Sequence, residues 1–475
     1  IQLDHKIGWI EINYNHERKK SKGIQGLANP DFGQETYQFK NGFGNKDESF
    51  VEIGYLKRDN DSIYNGRLDN VNSYESYFLN SQIINDKKAR LTVYLNQNKL
   101  KSITENREEK FLNTKVVYNQ KLFQNSFDSS LFFETNSGNL PQQEFTFLEV
   151  EPGLGTYKWI DINGNNIQEL EEFEIAVFED EGRYIRVLLP NQIFIRTYQN
   201  KLNYSLNINF LKLKKSDLGF YKFLSKISNQ LQYSLDKKTN LDINPEIEIN
   251  PFTIDENSLL AYNYSLKNVF YFNRSKQKFS LAFTFLENKL KNNFSFGSTK
   301  SSSLMKKINF IHKIGDLYLI EVVGNKQKKN NWSENFHDKN YNINDYSINP
   351  KLTYYSGENN RINFIYKLSN IDNSIGNQEY LKQQNFGISL FLNQKDKTGF
   401  ISEFNYFKNE FEGDINSVIS YIMMNGLQKG ENYTWSFKFQ RKLSKLIDIN
   451  FVYLGRKSNS LRTIHNGSIQ LKAIF

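Results

Sequence analysis

The stretch KLNYSLNINF, residues 201–210, sorts its side chains into two chemical classes by position alone. Apolar residues hold every even position and polar residues every odd one: Leu202, Tyr204, Leu206, Ile208 and Phe210 against Lys201, Asn203, Ser205, Asn207 and Asn209. Successive side chains of a β-strand point to opposite faces. The segment therefore predicts a strand with one apolar and one polar face.

The same alternation recurs along most of the 475-residue chain, for example in LLAYNYSLKNVFYF (259–272), KFSLAFTF (278–285) and LIDINFVYL (446–454). About 16–20 such segments can be drawn, many of them about 10–14 residues long, which suits the 9–11 residues that a tilted membrane strand needs. Strands of globular proteins usually stop at about five or six residues. The length of the segments favours strands that cross a membrane.

The composition agrees with a β-protein. The chain has 39 Phe and 28 Tyr but only 7 Pro, and aromatic residues suit a pleated surface whereas Pro interrupts its ladders. The absence of Cys excludes disulfides, a thiol nucleophile and a Cys-ligated zinc site. No run approaches the roughly 18 apolar residues of a membrane helix. A mean hydropathy of −0.64 still fits a barrel, whose strands show lipid only every second side chain.

A soluble β-sandwich or β-solenoid would alternate too. Here, however, the polar face is built of Asn, Ser, Thr, Lys and Gln, and the segments follow one another through short connections such as 273–277 and 442–445. These are the features of a polar lumen and of a closed meander without edges in lipid. We therefore predict an all-β fold, a transmembrane antiparallel up-and-down β-barrel of about 16–20 strands.

The chain end carries a short motif. In TIHNGSIQLKAIF, Ile469, Leu471, Ala473 and the terminal Phe475 share one face of the predicted strand. This pattern resembles the last strand of bacterial outer-membrane β-barrels, whose final aromatic residue is part of the signal read by the barrel-assembly machinery. The resemblance implies integral outer-membrane localisation and contact with that machinery during insertion.

One segment departs from the alternation. Residues 141–182 hold eleven carboxylates against one base, a formal charge of −10, so the remainder of the chain carries +19. The segment also contains Pro152, Gly153, Gly155 and Gly164, which favour turns. We predict N-terminal barrel strands in 1–140, a folded acidic insert in 141–190 and C-terminal barrel strands in 191–475.

Within the insert, DINGNNIQELEE fits the twelve-position spacing of a calcium loop. The predicted ligands, at positions one, three, five, seven, nine and twelve, are Asp161, Asn163, Asn165, the carbonyl of Ile167, Glu169 and Glu172. Position six, normally Gly because of a sharp turn, is Asn166, the next most tolerant residue for a left-handed conformation. Calcium is the expected ion. A solvated acidic loop without an ion is the alternative.

The surrounding segment, 153–190, is similar to one found in large outer-membrane proteins of the Bacteroidota. Their pattern has a Gly-x-Tyr-x-Trp-x-Asp-x-Asn start, a Glu-Phe-Glu close and a Tyr-Ile-Arg-Val sequel. The matching residues are Gly155, Tyr157, Trp159, Asp161, Asn163, Glu172, Phe173, Glu174 and Tyr184 to Val187. Asn165 and Asn166 replace the expected Asp-Gly, which implies weaker calcium binding. The similarity covers about 40 residues and implies compartment and lineage rather than an activity.

No motif of an enzyme is evident. The five histidines lie far apart without metal-ligand spacing, and there is no Gly-x-Ser-x-Gly, P-loop or dinucleotide fingerprint. Lys and Arg are spread through the chain rather than gathered on one element, so no nucleic-acid partner is expected. The basic excess suits outer-membrane lipids and lipopolysaccharide. We expect no catalytic residue and no enzymatic activity; the alternative is a Ser-His or Asp-His site whose side chains come from distant strands of the barrel.

Two function classes stay open. One is a subunit of a larger envelope complex for protein transport, secretion or outer-membrane protein assembly, with protein partners. The other is a porin-like channel for solutes. The long connections predicted at 236–258 and 327–344 favour interaction surfaces. A strand count from Phe475 puts the insert on the periplasmic side, whereas its length puts it outside the cell.

Overall fold

The structure is a computed structural model that describes residues 1–475 except 6, 20–31, 65–66, 104–106, 142–143, 163, 190–193, 211–218, 245–247, 275–277, 295–296, 358, 395–397, 445, 460 and 474–475, together with the side chains of 4, 63, 64 and 67. The described residues are nearly all β, as the alternation predicts. Among them, no helix is long and apolar enough to span a membrane.

Eight strands precede the insert: β1 (Gln2–His5), β2 (Gly8–Lys19), β3 (Phe32–Gly44), β4 (Phe50–Tyr64), β5 (Arg67–Asn85), β6 (Ala89–Ser102), β7 (Arg107–Leu122) and β8 (Phe127–Pro141). The insert holds β9 (Glu144–Glu149), β10 (Tyr157–Trp159), β11 (Phe173–Ile175) and β12 (Tyr184–Leu189), with 3-10 helices at Leu170–Glu172 and Glu179–Glu181.

Thirteen strands follow in the described residues: β13 (Phe194–Asn209), β14 (Ile227–Asn240), β15 (Leu259–Phe272), β16 (Ser280–Phe294), β17 (Gly297–Ile314), β18 (Tyr318–Ser333), β19 (Tyr341–Ser356), β20 (Asn360–Asn373), β21 (Tyr380–Gln394), β22 (Thr398–Glu412), β23 (Gly430–Lys442), β24 (Ile447–Ser458) and β25 (Ile464–Ala473). Helix α1 spans Gly219–Leu224, α2 spans Val418–Met423, and a 3-10 helix spans His337–Lys339.

Twenty-one of the described strands form the main antiparallel sheet, and the four strands of the insert form a second sheet. Apart from the four-residue β1, the strands of the main sheet are 10–19 residues long. The fold class is therefore confirmed: long antiparallel strands follow one another in up-and-down order, and the twenty long strands match the upper end of the predicted count.

The chain divides into two compact units. The first comprises Ile1–Pro141, Ile193–Ser216 and Gln230–Tyr264. In it, each strand from β1 to β8 pairs with its sequence neighbour, and β8 pairs with β13 along fifteen residues. The connection after β14 folds back onto this strand. Lys237 of β14 is therefore only 2% exposed, and it donates to the carbonyls of Asn250 (3.1 Å) and Thr253 (2.7 Å) in the connection.

The second unit comprises Gln142–Gln192, Asp217–Asn229 and Ser265–Phe475. Here β16 to β25 form a continuous meander in which each strand pairs with the next. The insert belongs to this unit, together with the strands and connections that hold it in place.

The strands of the second unit present two unlike faces. The outward face carries exposed apolar side chains, including Ile308 (50%), Ile348 (48%), Phe364 (49%) and Phe386 (49%). The opposite face, called the inner face below, is polar: Thr353 donates to Asn363, which in turn donates to Ser389 on the next strand. An apolar outer band with a polar inner face is the arrangement of a membrane barrel wall.

The end strand carries three of the four residues of the predicted assembly signal. Ile469, Leu471 and Ala473 lie opposite Phe451, Ile449 and Ile447 of β24, on one face. Ile469 is 71% exposed and Leu471 is 62% exposed. Phe475 lies outside the described residues. Recognition of this segment by the assembly machinery stays a prediction.

The strand ends correct the count made from the sequence. Ile447 pairs with Ala473 at one end of the β24–β25 ladder, and Arg456 pairs with Ile464 at the other. The insert contacts Arg456 and the connections that follow β18 and β22. It therefore lies at the strand ends opposite the C-terminus. A strand count that puts the insert and the C-terminal residues on the same side does not agree with this arrangement.

Two predicted long connections are shorter than expected, because each includes residues that belong to strands. The segment 327–344 contains the end of β18 and the start of β19, which leaves only residues 334–340 between them. The segment 236–258 contains the end of β14, so the connection begins at Leu241.

Candidate functional site: the anchored acidic insert and its cleft

The insert is an independent small sheet with an aromatic core. Its strands lie in the order β11-β10-β12-β9. The ring of Phe173 stacks on Phe147 at 4.1 Å between centroids, and Tyr157 and Tyr184 meet these rings edge-on, each at 4.9 Å. Phe173 is 5% exposed and Tyr184 is 6% exposed. The core explains why the alternation breaks here: the rings face their own sheet rather than lipid.

The first half of the predicted calcium loop is folded around Asp161. Its Oδ1 accepts from the backbone N–H of Gly164 (2.8 Å) and its Oδ2 from that of Asn166 (3.0 Å). Asn165 Oδ1 accepts from the N–H of Ile167 (2.6 Å). Asn166 has φ +57°, the left-handed turn expected at position six. Asn163 lies outside the described residues.

The second half of the loop is organised by Glu172, which is fully buried. Its Oε2 accepts from the indole N–H of Trp159 (2.7 Å), and its Oε1 accepts from the backbone N–H of Ile162 (3.0 Å). Asn165 Nδ2 donates to Glu169 at 3.5 Å, and Ile167 is 62% exposed. The predicted position-twelve ligand thus closes the loop onto the sheet.

Among the described residues, no group of three or more His, Cys, Asp or Glu side chains lies close enough to hold a metal ion. A carboxylate has about four lone-pair sites, so the donors at Asp161 and Glu172 leave some unused. Calcium coordination here would combine these lone pairs with amide and carbonyl oxygens. It stays a prediction.

A first anchor joins the insert to the inner face of β24. The guanidinium of Arg456 donates to both carboxylate oxygens of Asp180, at 2.8 Å for the Nη2–Oδ2 contact, and to Glu181 at 3.1 Å. The same group lies 4.0 Å from the ring centre of Phe178. The Arg456 side chain is only 13% exposed. A bidentate pair of this kind is directional and strong.

Helix α2 reinforces this first anchor. Tyr421 donates its hydroxyl proton to Glu181 (2.9 Å) and accepts from the backbone N–H of Val177 (2.9 Å). Burial, together with the Glu181 carboxylate, raises the pKa of Tyr421 far above its ordinary value. The phenol therefore stays a donor at any physiological pH. The ammonium of Lys158 lies 4.8 Å from the Tyr421 ring centre and 3.2 Å from Glu181.

A second anchor lies across the insert, at the connection between β18 and β19. Lys339 forms an ion pair with Glu174 (2.7 Å) and donates to the carbonyl of Phe173 (2.8 Å). Both side chains of the pair are 18% exposed. Two separate charged contacts thus hold the insert against strands of its own unit.

The connection that carries α2 is itself packed down onto the inner face. Ser417 caps the helix by accepting from the N–H of Ser420 (3.1 Å). Its apolar residues join inner-face residues of β19 to β22 in one buried cluster: Ile343, Ile371, Leu381, Phe411, Ile419, Met423, Met424 and Leu427. Phe178 of the insert packs against the same cluster. Insert and α2 connection therefore form one continuous cover over these strand ends.

A cleft of about 380 Å³ lies between the insert sheet and strands β16 to β19. One wall is aromatic and includes Phe145, Phe147 and Phe173 of the insert. The other is a set of inner-face amides and hydroxyls: Asn292, Thr299, Ser301, Asn331 and Ser333. The volume falls at the lower end of the usual range for ligand sites, about 300–1,000 Å³.

Neither Arg456, Tyr421 nor Lys339 was expected from the sequence. Arg456 is 276 positions from Asp180, and no local pattern links the two. The one available signal was charge: a segment of −10 in a chain whose remainder carries +19 predicts attraction without naming the residues.

Comparison with known proteins identified no family. No protein-family model matches the chain, and no curated protein matches it. Among solved structures, the FrpB iron transporter from Neisseria meningitidis (F3-3 variant) aligns with 95% of this chain and 69% of its own, at 12% identity and a TM-score of 0.37.

The copper transporter OprC aligns with 95% of this chain and 70% of its own, at 8% identity and a TM-score of 0.35. OmpT, an outer membrane protein of Vibrio cholerae, aligns with 81% of this chain and 89% of its own, at 8% identity and a TM-score of 0.27.

The structure itself defines the class. Its strands are long, antiparallel and in up-and-down order, with an exposed apolar face and a polar inner face. A chain built in this way is an integral outer-membrane β-barrel protein, and its location is the bacterial outer membrane.

Proposed function

We propose that this protein is a non-enzymatic outer-membrane subunit of a larger envelope complex for protein transport, secretion or outer-membrane protein assembly. The acidic insert is its docking element. Because the longer loops of such barrels are extracellular, we place the insert on the outside of the cell. The Bacteroidota lineage remains an expectation from the resemblance of residues 153–190.

The observation that carries this proposal is an anchored insert with an exposed aliphatic face. Leu148, Ile185, Val187 and Leu189 lie on one face of the β9–β12 ladder, since directly opposite residues share a face. Leu148 is 49% exposed and Leu189 is 43% exposed. Exposed apolar residues among acidic ones, on a rigid support, suit a protein partner with an apolar centre and a basic rim.

The alternative, a porin-like channel for solutes, is favoured by the polar inner face. The chain of hydrogen bonds from Thr353 through Asn363 to Ser389 would suit a wall in contact with water. The cover formed by the insert and α2 acts against free passage along this part of the wall.

Conductance and co-purification separate the two functions. We expect the purified protein in planar bilayers to show no steady conductance, and mild-detergent extraction from the native membrane to recover a partner. Replacing residues 142–192 with a short Gly-Ser turn should open stepwise conductance and abolish the partner. Steady conductance of the intact protein without any partner would establish the channel instead.

A double variant tests the docking face directly. Leu148→Asp with Leu189→Asp should remove the partner and leave the insert folded, because both side chains are exposed. Leu154→Asp is the matched control, since Leu154 is 72% exposed in a turn of the same insert. Equal loss of the partner in the control would reject the β9–β12 face as the docking surface.

We further propose that calcium stabilises the loop from Asp161 to Glu172. Supporting this, Asp161 and Asn165 already fold the loop by accepting from the backbone N–H groups of Gly164, Asn166 and Ile167, and Asn166 holds the left-handed turn of position six. Calcium at about 100 times its Kd should stabilise the insert by about 2.7 kcal/mol.

Hydrogen exchange of residues 157–175, measured with calcium and with a chelator, would show this difference. Asp161→Asn should abolish it, whereas Asp316→Asn, in a strand connection outside the insert, should not. Identical exchange in calcium and chelator, with no calcium by elemental analysis, would refute the site.

A further inference from the structure

The outward face of β16 to β20 contains a groove of about 440 Å³ that joins apolar and cationic surface. Its apolar lining includes Phe283, Ile308, Ile348 and Leu368. The groove is deep because position 324 is Gly, and a Cβ added there would meet no atom within 4 Å. A Leu or Ile at this position, as on the neighbouring strands, would fill it.

Two exposed lysines, Lys306 and Lys326, line one end of this groove, and a third, Lys328, follows on the same face. Lys306 of β17 lies directly opposite Lys326 of β18, and Lys328, two residues further on, shares their face. All three are exposed. Like charges directly opposite one another destabilise a sheet. In the part of the chain that the structure describes, none of the three forms an ion pair, and Lys326 instead lies 4.8 Å from the ring centre of Tyr346.

The same face on β21 and β22 shows the usual arrangement. Lys382 and Lys408 lie 3.8 Å and 3.3 Å from the carboxylate of Glu410. The cluster of Lys306, Lys326 and Lys328 is therefore distinct from other lysines of this face, because its charges repel one another without a carboxylate between them.

The lysines lie where the apolar band ends. Beyond them toward the insert, β18 presents Trp332, which is 43% exposed, and in the other direction the face is apolar at Ile308 and Ile320. Aromatic and basic side chains mark the headgroup level of a membrane protein, and apolar ones mark the hydrocarbon. The three lysines thus lie at headgroup level, and the groove extends from them toward the apolar residues that face the hydrocarbon.

From this geometry we propose that the groove binds one molecule of lipopolysaccharide. A phosphate of its lipid headgroup would contact the three lysines and relieve their repulsion, and an acyl chain would fill the space above Gly324. The choice of this lipid rests on the proposed orientation, in which the insert end of the strands faces the outer leaflet, where lipopolysaccharide is the phosphate-bearing lipid.

Titration of the purified protein in neutral detergent tests the site. Each lysine near an anionic lipid contributes about fivefold in affinity. We therefore expect the variant Lys306→Gln, Lys326→Gln, Lys328→Gln to bind lipopolysaccharide about 100-fold more weakly. Lys382→Gln with Lys408→Gln is the matched control and should retain most of the affinity. Gly324→Leu should weaken binding without any change of charge.

The outcomes are distinguishable from those of the proposed function. Heat-shifted gel mobility reports folding of each variant, and co-purification of the protein partner reports the complex. If the folded triple variant binds lipopolysaccharide as tightly as the parent, or if phosphatidylglycerol binds equally well, the lipid site is rejected whatever the partner shows. Loss of the partner with lipid binding unchanged would reject only the complex.

Discussion

Replacing Arg456 with methionine is expected to release the tip of the insert while the strands stay intact. Methionine keeps the length and packing of the side chain against Phe178 but removes the charge that holds Asp180 and Glu181. Hydrogen bonds between charged partners contribute about 1.5–3 kcal/mol, and leaving partly buried charges unpaired adds to the loss. We expect a local loss of about 2–3 kcal/mol, on the order of a 100-fold increase in hydrogen exchange of residues 176–182.

Arg441→Met is the control for this change. Arg441 is exposed on β23, toward the strand end away from the insert, so its loss should leave exchange in the insert unchanged. Lys339→Met removes the second anchor and should loosen β11 first. If the Arg456 variant exchanges like the parent in 176–182, the contact to β24 is not what holds the insert.

Truncating Phe173 to alanine is expected to unfold the insert sheet. The side chain is 5% exposed, stacks on Phe147 and meets Tyr184 edge-on. Removal of a buried phenylalanine side chain costs about 3–5 kcal/mol, because burial is lost and a cavity remains. A sheet of four short strands is only marginally stable without its hydrophobic core. Limited proteolysis should cut the variant within 144–189 and leave the membrane strands protected.

The matched control for this truncation is Leu154→Ala, because Leu154 is exposed in the same insert. Its proteolysis should follow that of the parent. Intact protection of the Phe173 variant would mean that the anchors to β18, α2 and β24 hold the insert without its own core. Combining Phe173→Ala with Arg456→Met would then distinguish the two sources of stability.

The strands of the barrel wall were largely predictable, because their alternation of apolar and polar residues is visible in the local sequence. Each strand such as 201–209 shows its faces through a period of two, and the turn at Asn166 follows from the tolerance of asparagine for positive φ. The class of fold depends on nothing more distant than these patterns.

The rest depends on features that the pattern does not contain. Beyond the membrane the outward face no longer has to be apolar, so the polar end of β18, up to Ser333, reads as a connection. The anchors join Asp180 to Arg456 and Phe173 to Lys339 across long stretches of chain. Such pairs follow from the three-dimensional order of the strands and have no signature in either local sequence.

The long separation of the anchors also sets an order of events during folding. The insert is held in place by residues 339, 421 and 456, which lie far from it along the chain. Closing loops of this length is slow and comes after local pairing. Until β18 to β24 are paired, the acidic segment stays unseated and open to proteases. Docking of the insert thus requires that β18 to β24 are already paired. A protein whose folding stops earlier would leave its insert exposed to proteases and would be degraded.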